Sequence, residues 1–293
     1  MKKTAAFIAL FAFCMLSVQA QELRVGTYNI RYKNADDSIK GNVWSKRCQV
    51  MCDQVNVESP DVWGAQEVLH SQLQDMLARL DNYGYIGVGR DDGDKKGEYA
   101  AIFYKKDRVQ LLDSGHFWLN ETPDKPALGW DAACVRICTW GKFAHRSLEE
   151  GTPETQASKL PDFFFFNLHM DHVGIVARRE AARLVISKIK ELAADAPIIL
   201  TGDFNVDQTD EIYEIFTTSG LLVDTYETAR LRFAENGTFQ AFKTERKTSS
   251  RIDHVFVSPS VSVESYALRT DSYWTDSRRN PSDHYPVFVR LKF

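Results

Sequence analysis

The sequence predicts an α+β fold in one domain, with mixed sheets and helices outside them. Short apolar runs, many of them alternating, recur from Leu23 to Leu291. Helical spacing intervenes between some of these runs, yet several neighbouring strands have no helix between them, which implies mixed or antiparallel pairing. No linker, repeat or low-complexity tract divides the chain, and 44% hydrophobic with 12% aromatic residues is ample for a sizeable core. One domain over 21–293 follows.

Residues 1–20 read as a signal peptide: Lys2 and Lys3, an apolar stretch from Ala5 to Val18 too short to span a membrane, and Val18-Gln19-Ala20 as a small-residue cleavage site. The expected location is periplasmic or secreted. Leu23 to Ile30 alternates as a strand. Trp44 to Val57 carries Trp44, Cys48, Met51, Cys52 and Val55 at helical spacing, and Pro60 stops it. Asp61 to Gln66 is a short strand delivering Glu67, and Leu69 to Leu80 an amphipathic helix. Strands follow at 83–88, 99–105 and 109–119, with an acidic Gly-rich turn at 91–94 and a Pro-rich loop at 120–130. Strands at 133–143 and 163–169 flank a polar excursion at 144–161, read as a mobile loop. The longest helix is expected at 173–194, another near 210–218, and strands in the run 197–205 and at 251–257, 261–268 and 285–291.

Without Lys2 and Lys3, 34 basic side chains face 40 acidic ones, a net of −6. That balance argues against a broad footprint for duplex nucleic acid or anionic membrane, but not against a local basic pocket. Cys48-x-x-x-Cys52 and Cys134-x-x-x-Cys138 lack neighbours at zinc-finger spacing, so they read as plain buried cysteines.

The chemistry concentrates at strand ends. Pro197 to Asn205 is a buried-strand run ending in Gly-Asp-Phe-Asn; Asp203 and Asn205, two apart on an extended segment, are expected to point the same way. Asn29, Glu67, the set Asn167, His169 and Asp171, the pair Asp253 and His254, and the pair Asp283 and His284 occupy comparable ends. A carboxylate with amide oxygens suits Mg²⁺, and a histidine bonded to an aspartate holds a proton donor or acceptor in place. Such a set points to hydrolysis of a phosphate ester.

Thr-Tyr-Asn-Ile-Arg at 27–31, Gln66-Glu67, Asn-Leu-His-Met-Asp-His at 167–172, Gly-Asp-Phe-Asn at 202–205, Ile-Asp-His at 252–254 and Ser-Asp-His-Tyr-Pro-Val at 282–287 resemble the ordered motifs of the endonuclease/exonuclease/phosphatase superfamily. The resemblance implies a four-layer α/β/β/α sandwich, two β-sheets face to face between outer helices, with the site at one end. It implies Glu67 as principal metal ligand, assisted by Asn29 and, at some distance, Asp283. It implies Asp203 orienting or deprotonating the water, Asn205 holding a phosphoryl oxygen, His284 paired with Asp253 as general acid/base, and His169 stabilising phosphate charge or assisting the leaving group. Asn167 belongs to the same substrate-facing motif.

Arg31, Arg136 and Arg178 are candidates for a local anion pocket, and Tyr99, Trp130 and Trp140 for its walls. The expected cofactor is Mg²⁺, with Mn²⁺ able to substitute. The expected protein is a monomeric, secreted phosphoesterase without a membrane span, favouring a small or lipid-linked phosphorylated substrate. A nuclease degrading nucleic acid is the alternative, and a catalytically inactive binding member the remote one.

Overall fold

The computed structural model describes residues 22–146 and 160–293. The expected signal peptide and most of the 144–161 excursion lie outside the described residues. The first half contains β1 (Glu22–Asn29), α1 (Ala35–Ile39), α2 (Trp44–Glu58), β2 (Val62–Val68), α3 (His70–Leu77), β3 (Tyr83–Ile86), β4 (Tyr99–Lys105), β5 (Val109–Trp118) and β6 (Ile137–His145). The second half begins with β7 (Phe163–His169), α4 (Ile175–Ala193), β8 (Ile198–Asp203), α5 (Glu211–Thr217), β9 (Val223–Asp224), α6 (Thr225–Thr228) and β10 (Leu231–Phe233). It ends with β11 (Asp253–Val257), β12 (Ser262–Leu268), β13 (Tyr273–Trp274), β14 (Arg278–Arg279) and β15 (Val287–Lys292).

Two mixed sheets dominate, ordered β10-β12-β15-β1-β2-β4-β3 and β5-β6-β7-β8-β11-β9. β1 runs parallel to β2 and antiparallel to β15, and β7 runs parallel to β8. The layers follow from the two-residue period. Leu23 and Val25 of β1, Phe163 and Phe165 of β7, Ile199 of β8, Val255 of β11 and Val287 of β15 share one core between the sheets. The opposite face of the first sheet packs Tyr28, Trp63 and Phe103 against Cys48, Met51 and Cys52 of α2 and Leu73 and Met76 of α3. The opposite face of the second sheet packs Phe164, Phe166 and Leu200 against Ala181, Val185 and Ile189 of α4 and Phe216 of α5. These are the four layers expected.

One boundary moves. The strand expected at 133–143 starts only at Ile137, because the N–H groups of Ala133 and Cys134 donate to Asp171 Oδ2, both at 3.1 Å, instead of to a ladder. Cys134 is therefore half-buried in a loop, and Arg136 precedes the strand rather than lying on it. Cys48, Cys52 and Cys138 are buried free thiols.

Candidate functional site

On the face between the sheets, the apolar alternation turns polar toward one end. In β1 it runs Leu23, Val25, Thr27, Asn29; in β7, Phe163, Phe165, Asn167, His169; in β8, Ile199, Thr201, Asp203; and β11 opens with Asp253. Register then assembles the groups: His169 pairs with Asp203 across β7 and β8, and Asp203 with Asp253 across β8 and β11. The same period that builds the core thus delivers the site.

Asp203 is the hub. Its Oδ2 accepts from Asn29 Nδ2 at 2.9 Å and lies 3.6 Å from His169 Nε2 and 3.7 Å from His284 Nε2. Its Oδ1 accepts from the Asn205 N–H at 3.0 Å. Burial pushes its carboxyl up to about 7, with the Asp253 charge adding to the effect. His284 Nδ1 meets Asp253 Oδ2 at 2.8 Å. Burial opposes charging this ring, but Asp253 and Asp203 outweigh it and push its pKa up to about 10. His169 is driven the other way: burial first, then the Arg136 and Arg90 charges, hold it well below the usual range and neutral. Either role expected of His169, stabilising phosphate charge or assisting the leaving group, would then be filled by a neutral hydrogen-bonding ring.

Asn29 Nδ2 also donates to Glu67 Oε1 at 3.0 Å, so one buried amide bridges the expected metal ligand and the expected base. Glu67 Oε2 accepts from the Tyr32 N–H at 3.1 Å. The Arg31 guanidinium lies 3.9 Å from Glu67 and 3.7 Å from Asp283, beyond hydrogen-bond distance of both, and bonds properly only to Asp37 at 2.8 Å. The Glu67 and Asp283 carboxylates, each with lone pairs left beyond its hydrogen bonds, and the Asn29 amide form a hard-oxygen set that fits Mg²⁺. Burial, with Glu67 adding after the opposing pull of His284, raises the Asp283 carboxyl. A second grouping of possible ligands, Asp203, Asp253 and His284, is tighter. There His284 Nδ1 is already engaged by Asp253, which fits a proton relay better than a metal cage.

Three residues here have left-handed backbone: Arg31 (φ 57°), Glu67 (φ 60°) and Asn205 (φ 51°). Such conformations are uncommon for side-chain-bearing residues and concentrate at functional sites. For Asn205 this corrects an expectation. β8 ends at Asp203, and the turn aims Asn205 Nδ2 at the Met170 carbonyl, 2.9 Å away, instead of continuing the strand face.

Asn167 is a further correction. It is fully buried, and every polar atom is engaged: Nδ2 donates to the Ala65 and Ala101 carbonyls at 3.0 and 2.9 Å, while Oδ1 accepts from Gln66 Nε2 at 2.7 Å and Thr201 Oγ1 at 3.2 Å. No atom remains for substrate. Asn167 instead ties the two sheets together where the β2–β4 register slips between Ala65 and Val68, the irregularity that carries Glu67. A methyl group at Gly64 would overlap Asn167 and Thr201, so only glycine admits this approach.

Arg136 is buried beside His169, with its Nη2 at 3.2 Å from His172 Nδ1. Arg178 turns its Nη1 onto the Asp171 carbonyl at 3.0 Å, in the loop after β7 rather than at the carboxylates. Tyr99 lines the recess next to His169, whereas Trp130 and Trp140 pack on the helix side of the second sheet. His254 faces away from its neighbour Asp253 and packs among Phe204, Tyr213 and Phe256.

Two residues escaped the sequence reading. Arg47, in a polar position of α2, is fully buried and donates to the carbonyls of Ile30, Arg31, Asn42 and Pro281 at 2.8–3.0 Å. It fastens the segment after Asn29 to the segment before Asp283. Arg90, at the start of the acidic turn, faces the recess beside Arg136. Neither has a local sequence signal.

The Endonuclease/Exonuclease/phosphatase family model matches residues 26–284. The chain is 47% identical to a mannosyl-6-phosphatase of Bacteroides thetaiotaomicron, covering 92% of this chain and 100% of that one with a TM-score of 0.86. It is 40% identical to an endonuclease/exonuclease/phosphatase from Bacteroides vulgatus, covering 93% and 99% with a TM-score of 0.82. Among curated proteins it is 23% identical to Drosophila melanogaster nocturnin over 228 residues, 71% of this chain and 33% of that protein. The chain spans between a third and 60% of the length of the curated relatives it matches.

Proposed function

The chain belongs to the Endonuclease/Exonuclease/phosphatase family, and from that premise we propose that it is an extracytoplasmic, Mg²⁺-dependent phosphatase of compact phosphorylated sugars. Its reaction class is hydrolysis of a phosphate ester. The observation that carries the reading is the buried triad at the sheet seam: Asp203 Oδ2 lies 3.7 Å from His284 Nε2, and Asp253 holds the same ring by Nδ1 at 2.8 Å. Catalytic acids and bases work best when their pKa values lie near or span the operating pH. The 47% identity to a mannosyl-6-phosphatase supports a sugar phosphate, and the net acidic chain supports a small substrate over a polyanion.

In this reading Glu67, Asn29 and Asp283 would hold the cation, which would supply polarisation of a phosphoryl oxygen and charge neutralisation. Asp203 takes a proton from the attacking water, its orientation fixed by the Asn29 amide and the Asn205 N–H. His284 presents Nε2–H to the oxygen on which charge develops, and Asp253 keeps the ring in that tautomer. His169, neutral, offers one hydrogen bond beside Asp203. Asn205 Nδ2 gives one N–H to the Met170 carbonyl and keeps the other for a phosphoryl oxygen.

The test is a screen of purified protein, with Mg²⁺ or Mn²⁺, against hexose phosphates including mannose 6-phosphate, mononucleotides, inositol phosphates, phospholipids and duplex DNA. Hexose phosphates are expected to give the highest kcat/KM, with KM changing less than about tenfold from 50 to 200 mM salt, whereas 6–10 phosphate contacts would cost about 10³–10⁵. Duplex cleavage with that steep dependence, and no turnover of small esters, would replace this reading with the nuclease.

A further inference from the structure

Beside His169 lies a narrow recess of about 10 Å³, water-sized at its floor, lined by Arg90, Glu98, Tyr99, Ala100, Arg136 and Ile137. Its cations are poorly satisfied by the protein. Arg136 is only 5% exposed, yet its Nε and Nη1 have no hydrogen-bond partner, and Arg90 Nε has none either. The nearest anion to Arg136, Asp171, stands 3.6 Å away. Its oxygens are already taken by the backbone N–H groups of Ala133, Cys134, Val173 and Gly174. Arg90 is held in place from both sides: Glu98 accepts from its two terminal nitrogens at 2.7 and 3.1 Å, and Trp118 Nε1 donates to its carbonyl at 2.7 Å. His169 Nδ1 is also buried without a partner. Buried guanidinium N–H groups left without acceptors are costly, and phosphate oxygens match their fork geometry.

We propose that Arg90, Arg136 and His169 form the subsite for the terminal oxygens of the phosphoryl group, and that this subsite selects phosphomonoesters over phosphodiesters. The inference rests on the phosphatase reading above and names the device behind its substrate class. The recess adjoins the reaction centre through His169, whose Nε2 lies 3.6 Å from Asp203. Arg136 and Arg90 both depress the His169 ring after burial does, and Glu67 raises the buried Glu98 carboxyl against the pull of Arg90, so the recess and the carboxylate centre share one field. A phosphomonoester near neutral pH carries close to two negative charges on three terminal oxygens. A diester carries one charge on two. The three unpartnered guanidinium nitrogens, Arg136 Nε and Nη1 and Arg90 Nε, carry four N–H groups and suit the former better. Ala100 and Ile137, both buried, wall the recess and belong to a core cluster with Trp118, so a second ester chain directed inward meets packed side chains.

The experiment pairs two measurements on Arg90→Met, Arg136→Met and Arg136→Lys. Calorimetric binding of inorganic phosphate to the Mg²⁺-loaded protein reads the subsite without turnover. The kcat/KM values for p-nitrophenyl phosphate and bis(p-nitrophenyl) phosphate read selectivity. Each methionine variant is expected to bind phosphate at least about 30-fold more weakly and to lose about 10²-fold on the monoester. Diester turnover should change less than about threefold, collapsing the preference, and Arg136→Lys should fall between. Thermal melts monitor folding, and Arg90→Met, nearer the surface, carries the test if Arg136→Met does not fold. Phosphate affinity within twofold of wild type, or equal losses on both esters, overturns the subsite. Wild-type protein inactive on either ester would instead overturn the phosphatase reading, while arginine-dependent phosphate binding would still uphold the subsite.

Discussion

Replacing Asn167 with alanine separates two accounts of one side chain. If Asn167 contacts substrate, the variant should fold normally and show a raised KM. If it is the tie described above, the damage falls on stability and on Glu67. Truncation removes four buried hydrogen bonds, leaves the Ala65 and Ala101 carbonyls without those donors, and opens a small void. Gln66 Nε2 keeps Thr27 Oγ1 at 3.0 Å, so its loss is partial. Orphaned buried groups cost about 1–3 kcal/mol each, which puts the total at about 3–5 kcal/mol. For a chain of this size that corresponds to a Tm lower by about 6–20 °C. Because the tie sits at the β2–β4 irregularity bearing Glu67, the Mg²⁺ concentration for half-maximal activity should also rise. Differential scanning calorimetry and a metal titration at saturating substrate check both. A Tm within about 1 °C of wild type, with KM alone raised, would refute the tie and return Asn167 to the substrate.

Chelation by EDTA should abolish hydrolysis and Mg²⁺ or Mn²⁺ restore it, and Glu67→Gln should lower kcat by at least about 10²-fold; full activity in EDTA would remove Glu67 from its role. His284→Ala and Asp253→Ala should each lose about 10²–10⁴-fold, with the double variant far short of the product, whereas multiplicative losses would show independent action. Acid should weaken the fold through His145, whose two ring nitrogens are buried without partners between Phe163 and Phe293 and whose pKa burial, helped by Arg108, lowers to about 4. Its folded value lies below the unfolded one, so its contribution is complete above about pH 6.5 and is lost as pH falls toward 4, amounting to about 1–3 kcal/mol after allowance for partial exposure. Urea midpoints at pH 7.5 and 4.5 should therefore diverge less in His145→Leu than in wild type; identical pH dependence would clear His145.

The parts of the site that were legible are those tied to local period. Asn29 and Asp203 end apolar strands and Asp253 opens one, and a strand aims alternate residues at one face, so core pattern and chemistry could be read together. Asn167 shows the limit: it shares that face with His169, but only the opposing sheet decides that its amide is consumed by Ala65, Ala101, Gln66 and Thr201. Arg47 was illegible for the same reason, since the Ile30 and Pro281 carbonyls reach it from distant segments, and Arg90 because the Arg136 and His169 side of its recess comes from segments far along the chain. The late start of β6 was hidden because Asp171, far along the chain, captures the N–H groups that a strand at 133 would need. Short pieces such as α1, β9 and β13 are fixed by caps and neighbours, not by any period.

The first sheet places β15 between β1 and β12, so a segment more than 250 residues along the chain from β1 fills a slot at the middle of the sheet and not at its rim. Until it docks, β1 has an open edge and the segment bearing Asp283 and His284 has no fixed position beside Asn29. Pairings of such long sequence separation form slowly, because a long loop must close before they are rewarded. Competence for hydrolysis should consequently appear as the final event of folding, all at once. Chains cut before β15 would be inert, and recovery of turnover after dilution from urea would time the docking of that strand more directly than any spectroscopic probe of helix content.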